Sequence, residues 1–244
     1  MPAILAYLFL VFLLAAVPFG LVVTTLFGGG IDIRSEGSGN IGATNVARVY
    51  DWRLATPVVL LDMGKGFFPA LGVYIFFPGA HPVLVYLAVI VAFLGHCFSP
   101  YLYWKGGKGV ATAAGGLLAV IPGPTLLAGL LWTATLWTFG RSSIAALVAV
   151  LGAVVATAAF AHDALPLVVL LGVAVALTHV SNIRRIVAGT ESRVIERVSW
   201  GNDSERTILA EELLEQDPAG HRAGIPKAAP ARGGSTSTLD TSVK

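Results

Sequence analysis

Three stretches of this chain gather side chains suited to a phosphorylated, hydroxyl-bearing ligand. "SGNIGATNVAR" supplies Ser38, Asn40, Thr44 and Asn45 as uncharged hydrogen-bonding groups, with Arg48 about one helical turn beyond. "GHCFSPYLYWKGGKGVAT" sets Lys105, Gly106, Gly107, Lys108 and Gly109 at the start of a helix. Glycines let backbone N–H groups approach an anion, the helix start adds unpaired donors and partial positive charge, and the lysines add full charges. "THVSNIRR" puts His179 and Asn182 three apart, on one face of the last span if it continues that far, followed by Arg184 and Arg185. A smaller stretch, "GRSSIAAL", offers Ser142 and Ser143. Each stretch also has a plainer use, as turn and capping chemistry or as basic residues against lipid headgroups, and the two uses are compatible.

Several familiar chemistries are excluded. The lysine-glycine loop lacks G-x-x-x-x-G-K-[ST], since Lys108 is followed by Gly109, and no strand precedes it. No G-x-G-x-x-G lies between a strand and a helix, which removes a dinucleotide fold. None of His81, His96, His162, His179 or His221 has an Asp five positions on, so an H-x-x-x-x-D pair is absent.

The elements that position these groups are apolar helices. Of 244 residues, 55% are hydrophobic and 12% charged, against roughly 25% charged in soluble domains; the mean hydropathy is +0.77. This describes an all-α polytopic membrane protein. About seven stretches approach the roughly 20 apolar residues a transmembrane helix needs: 3–23, 54–77, 82–99, 109–121, 124–139, 143–160 and 164–181. Pro122-Gly123-Pro124 marks either a tight turn or a kink between the fourth and fifth. The first stretch has no Lys or Arg before it and reads as a span rather than a signal peptide.

Lys and Arg fall on alternate connections: Arg34, Arg48 and Arg53; Lys105 and Lys108; Arg141; then Arg184, Arg185, Arg193 and Arg197. The connections around His81, Pro122 and His162-Asp163 have none. This bias puts the N-terminus outside and the C-terminus in the cytoplasm, with every polar stretch on the cytoplasmic face. Residues 1–199 read as the membrane domain. Residues 200–244, rich in Pro, Gly, Ser, Thr and Ala, read as a mostly disordered cytoplasmic tail. Cys97 has no partner for an internal disulfide and reads as a small buried apolar residue. Asp62 and Lys65 lie inside a span at i, i+3, where charge is expensive unless paired, and read as a structural ion pair lining the site.

"SGNIGATNVAR", "GHCFSPYLYWKGGKGVAT" and "HVSNIRR...GTE", in that order and separated by spans, resemble the signature stretches of the bacterial acyl-phosphate:glycerol-3-phosphate acyltransferases of the PlsY type. The resemblance covers roughly 1–195 and implies a multi-pass enzyme of the bacterial inner membrane, active on its cytoplasmic side. It implies transfer of a fatty acyl group from acyl phosphate to the 1-hydroxyl of glycerol 3-phosphate, giving lysophosphatidic acid and phosphate without metal or cofactor. The implied partners are these two substrates, the bilayer and an enzyme that makes acyl phosphate; nucleic acid is not among them. Carried over, Ser38, Asn40, His179 and Asn182 are expected at the reaction centre. Thr44, Asn45, Arg48, Lys105, Gly106, Gly107, Lys108 and Gly109, with Ser142 or Ser143, are expected to bind substrate, and Glu191 to order the end of the last span. The alternative from another class is a transporter of small solutes or phosphate esters. Against it, the sequence shows no internal repeat and no paired broken helices meeting at mid-membrane, and its polar residues collect at one surface.

Overall fold

A computed structural model describes residues 1–194; the expected tail at 200–244 and its boundary at 199 lie outside the described residues. Among these there are ten α-helices, two short 3-10 turns (Pro100–Leu102 and His162–Ala164) and no strand: α1 (Pro2–Ala15), α2 (Phe19–Phe27), α3 (Ala43–Val49), α4 (Trp52–Phe76), α5 (Val83–Cys97), α6 (Val110–Val120), α7 (Pro122–Phe139), α8 (Ser142–Phe160), α9 (Leu165–Thr178) and α10 (Val180–Val187). Each of the seven expected spans coincides with one helix or a bent pair. By length and composition three described helical segments can cross a bilayer, based on α4, α5 and α8, or five if α1–α2 and α9–α10 each count as one bent span. At a rise of about 1.5 Å per residue, the 11 residues of α6 fall well short of a bilayer's hydrocarbon core.

The breaks have local causes. Pro18 lacks an amide donor, and the chain bends by 42° between α1 and α2. The Ala16 carbonyl left free there accepts from Ser99 Oγ at 2.6 Å. Ile121 leaves helical geometry (φ −138°, ψ 70°) and Pro122 opens α7, so the Pro-Gly-Pro stretch separates two helices instead of kinking one. A 61° bend at His179 divides α9 from α10. The structure thus holds two bent helix pairs, at Val17–Pro18 and at His179, that the apolar runs of the sequence do not mark. At the first break the freed carbonyl is met from a distant residue, Ser99, whereas at the second the Val175 carbonyl is met locally by Thr178 and His179.

Burial is inverted relative to a soluble bundle. Ala70, Ala88, Ala92, Ala113, Ala145 and Ala146 are buried, whereas Phe9, Phe68, Ile75, Leu151 and Phe160 are exposed. Small interior residues let helices approach closely where lipid supplies no hydrophobic drive between them. The α4–α6 contact is the tightest example: a Cβ on Gly66 would meet the Thr112 carbonyl, and one on Gly115 the Met63 carbonyl. Thr112 Oγ1 adds a bond to the Asp62 carbonyl at 2.9 Å. This clamp fixes the first turn of α6, immediately after Lys108. The polar segment before α4 has its own apolar anchor, in which Ile33, Ile41 and Val46 pack with Val23, Val58 and Leu102.

Candidate active site

The connecting segments converge on Glu191. Its Oε1 accepts from Ser143 Oγ at 2.6 Å and from Asn182 Nδ2 at 2.7 Å, and its Oε2 from Arg185 Nε at 2.7 Å. Asn182 relays the contact onward, its Oδ1 accepting from Lys108 Nζ at 2.6 Å. Arg141 Nε donates to the Glu191 carbonyl at 3.0 Å, and Thr178 Oγ1 to the Lys108 carbonyl at 3.0 Å. Arg48, on α3, reaches the Arg193 carbonyl at 3.4 Å and the Asn45 Oδ1 at 3.1 Å. The opening loop, the glycine loop, the start of α8 and the α9–α10 bend thus join at one end of the bundle.

The charges do not balance: Lys108, Arg48, Arg141 and Arg185 surround one carboxylate. Burial, then Arg185 and Arg48, lower the Lys108 pKa to about 8, against the pull of Glu191. Burial also lowers Arg48, with Arg185 adding to it. Glu191 would be raised by burial, but the bonds from Ser143, Asn182 and Arg185 outweigh this and lower it. It is ionised at neutral pH, and the cluster carries an excess of positive charge.

His179 is buried at the bend, its Nδ1 2.8 Å from the Val175 carbonyl. A carbonyl only accepts, so Nδ1 carries the proton and Nε2 is an acceptor. Here a backbone carbonyl fixes the tautomer that a carboxylate fixes in a His-Asp pair.

Not every expected group is offered to a ligand. Asn45 is buried; its Oδ1 accepts from Ser38 N at 2.8 Å, and its Nδ2 donates to the Ile33 and Glu36 carbonyls at 3.1 and 3.0 Å. It shapes the loop, leaving Ser38, Asn40 and Thr44 on the accessible side. In the glycine loop, Gly106 N donates to the Cys97 carbonyl and Gly107 N to the His96 carbonyl, both at 3.0 Å. Those two amides are committed, and the donors left for an anion are the first-turn amides of α6. Gly106 and Gly107 are required by packing, since a Cβ there would meet the carbonyls or ring of His96 and Cys97. Gly109 takes φ +75°, at a point crowded by the Phe93 ring.

The two lysines part company. Lys105 is exposed and lines an open groove of ≈ 520 Å³ with Arg34, Gly39, Ile41, Leu102, Tyr103 and Gly106, while Lys108 enters the Glu191 cluster. Of the two serines, Ser143 is in the cluster and Ser142 is half-buried at the first residue of α8. The sequence reading set Arg185 beside His179 and Asn182 without giving it a role of its own, and it gave none to Arg141, Thr178 or His96.

The family model described as "Glycerol-3-phosphate acyltransferase" matches residues 5–189. A glycerol-3-phosphate acyltransferase of Agrobacterium fabrum is 44% identical over 199 residues, covering 79% of this chain and 93% of its own. Another, from Dinoroseobacter shibae, is 41% identical over 184 residues, covering 75% and 89%. Among solved structures, PlsY, an integral membrane glycerol 3-phosphate acyltransferase, in its glycerol 3-phosphate form, superimposes with TM-score 0.72 at 33% identity, covering 78% of this chain and 95% of that one. Its lysophosphatidic acid form gives 0.70.

Proposed function

Because this chain belongs to the glycerol-3-phosphate acyltransferase family, we propose that it moves a fatty acyl group from acyl phosphate to the 1-hydroxyl of glycerol 3-phosphate. The observation that carries the donor and site assignment is the set of four cations around Glu191. One carboxylate leaves them under-neutralised, and phosphate groups from two substrates would supply the missing negative charge.

In this reading Lys108, Arg48 and the first-turn amides of α6 hold phosphate, with Arg185 and Arg141 held in range by Glu191. Ser38, Asn40 and Thr44 recognise hydroxyl and phosphate oxygens. His179 Nε2 accepts the bond from the 1-hydroxyl and Asn182, fixed by Glu191 and Lys108, orients it. The hydroxyl oxygen forms a bond to the acyl carbonyl carbon, the bond from that carbon to the phosphate oxygen breaks, and the proton leaves with inorganic phosphate. An acyl phosphate is a mixed anhydride with a good leaving group. Positioning and stabilisation of the developing oxyanion therefore supply most of what the protein must add. Asn45, Gly106 and Gly107 are positioning residues. Lys105 with its groove, Gly109, Ser142 and Ser143 frame the substrates.

The same reading takes the seven helical segments as spans, α6 among them as a short one. It places the N-terminus outside and the cluster on the cytoplasmic face of the bacterial inner membrane, following the Lys/Arg bias. Residues 1–199 form the enzyme and 200–244 a cytoplasmic tail. The supplier is an enzyme that makes acyl phosphate. Incubating purified protein with acyl phosphate and glycerol 3-phosphate should release phosphate and lysophosphatidic acid together. Product formation from acyl-CoA alone would overturn the donor assignment.

A further inference from the structure

Inside the bundle, under the glycine loop, lies a second ionisable group that the reaction chemistry does not use. Lys65 Nζ on α4 sits 2.7 Å from Asp62 Oδ1, off the line of a hydrogen bond, and 3.4 Å from His96 Nδ1 on α5. His96 Nδ1 is also 3.6 Å from Asp62 Oδ1. All three side chains are nearly fully buried, and Phe19 closes the fourth side, its ring centroid 4.7 Å from Lys65 Nζ. Packing alone does not call for such a set, since well-fitted apolar side chains replace a buried ion pair at little or no cost.

We propose that Asp62, Lys65 and His96 are positioning residues for Lys108 and its phosphate. This rests on the reading of the Gly106–Lys108 loop as phosphate-holding. The connection is short and continuous. The ammonium only donates, so His96 Nδ1 accepts and Nε2 carries the proton. The Nε2 edge lies against Gly107, where a Cβ would collide with it. The His96 carbonyl holds the Gly107 amide, and the neighbouring Cys97 carbonyl holds the Gly106 amide. On the far side of the loop, the Asp62 carbonyl holds Thr112 on the first turn of α6. Lys108 is thus suspended between two points that both belong to this group. The ion pair fixes the imidazole, the imidazole fixes the turn, and the turn aims the lysine at Asn182.

Replacing Lys65 alone strands the Asp62 carboxylate, so the informative variant is the double Asp62→Leu/Lys65→Met, compared with Lys108→Ala and with all three combined. KM is measured for glycerol 3-phosphate and for acyl phosphate, with kcat and melting temperature alongside. The double variant should raise one of the two KM values about tenfold, leaving kcat unchanged, and add nothing further on top of Lys108→Ala. Multiplication of the two effects, or unchanged KM values in the double variant while Lys108→Ala raises one, overturns the positioning role and leaves the loop reading intact. Unchanged KM values in Lys108→Ala itself overturn the loop reading and this inference with it. His96→Asn supplies an independent arm: its Oδ1 takes the place of Nδ1 and can accept from Lys65, and it should reverse much of the rise in KM seen in His96→Ala. No difference between the two counts against the proposal.

Discussion

Two groups of ionisable side chains occupy this bundle, and they are built in opposite ways. Asp62 and Lys65, with His96, form a closed set of one negative and one positive charge, nearly fully buried. Lys108, Arg48, Arg141 and Arg185 surround Glu191 alone, and the Arg185 side chain keeps 42% of its exposure. Even the histidines differ. His179 donates through Nδ1 and presents an acceptor, whereas His96 accepts through Nδ1 and presents a donor. A balanced, buried set is complete as it stands and determines shape. An unbalanced set at the bundle end is in mutual repulsion until an anion arrives, and that arrangement favours binding polyanions.

The sharpest way to break this contrast is to delete each histidine. His179→Ala should lower kcat by roughly 10²-fold or more, with KM for glycerol 3-phosphate little changed, whereas His96→Ala should act on KM. Steady-state kinetics on both variants decide it: loss of the same parameter in each would show that the histidines share one role. Next in size is Lys108→Ala. Losing a charged hydrogen bond to phosphate costs about 1.5–3 kcal/mol, so KM for a phosphorylated substrate should rise by one to two orders of magnitude. Because this removes one surplus cation, the ligand-free protein should melt no lower than wild type. Lys65→Met, which unbalances a neutral pair, should melt much lower. Thermal unfolding of both in one detergent checks the pairing of outcomes.

A smaller effect follows from pH. Lys108, with a pKa lowered to about 8, is charged below that value and neutral above it. KM should therefore rise as pH climbs through 8, by up to about tenfold per unit. Bound phosphate would hold the lysine protonated, so kcat should stay flat over the same range. Lys108→Arg, which does not titrate there, should remove the inflection. An inflection that survives in that variant would assign it to another group.

How far the sequence disclosed this arrangement depends on the range of the interaction. Asp62 and Lys65 are legible because i, i+3 spacing on a helix makes them neighbours before any tertiary contact forms. His96 is 31 residues from Lys65, and a histidine ending an apolar helix carries no local mark of its partner. Apolar runs disclosed every long helix, but not the bend at His179, and not α3, whose seven residues are too few for a clear period. Asn45 was legible as a polar group in the right loop. That its amide would be saturated by the Ile33 and Glu36 carbonyls depends on how the loop closes, which composition does not specify. Gly106 and Gly107 likewise suggested open amides, but the carbonyls of His96 and Cys97 take them.

The smallest expected effect tests the closed set from the side of stability. Breaking a buried ion pair by removing one partner costs about 3–5 kcal/mol, because the remaining charge stays buried; replacing both partners with apolar groups of similar volume is often neutral. Lys65→Met should therefore destabilise strongly, while Asp62→Leu/Lys65→Met should stay within about 1 kcal/mol of wild type. The apolar pair would sit against Phe19 and the α6 contact without an unpaired charge. Only the Lys65 bond to His96 would then be missing, so the imidazole loses its tether while the fold is kept. If the double variant unfolds as readily as the single one, the ion pair is a structural necessity of the bundle. Recovery of stability without recovery of KM would separate the two jobs, with the helices holding the fold and the ion pair holding the loop.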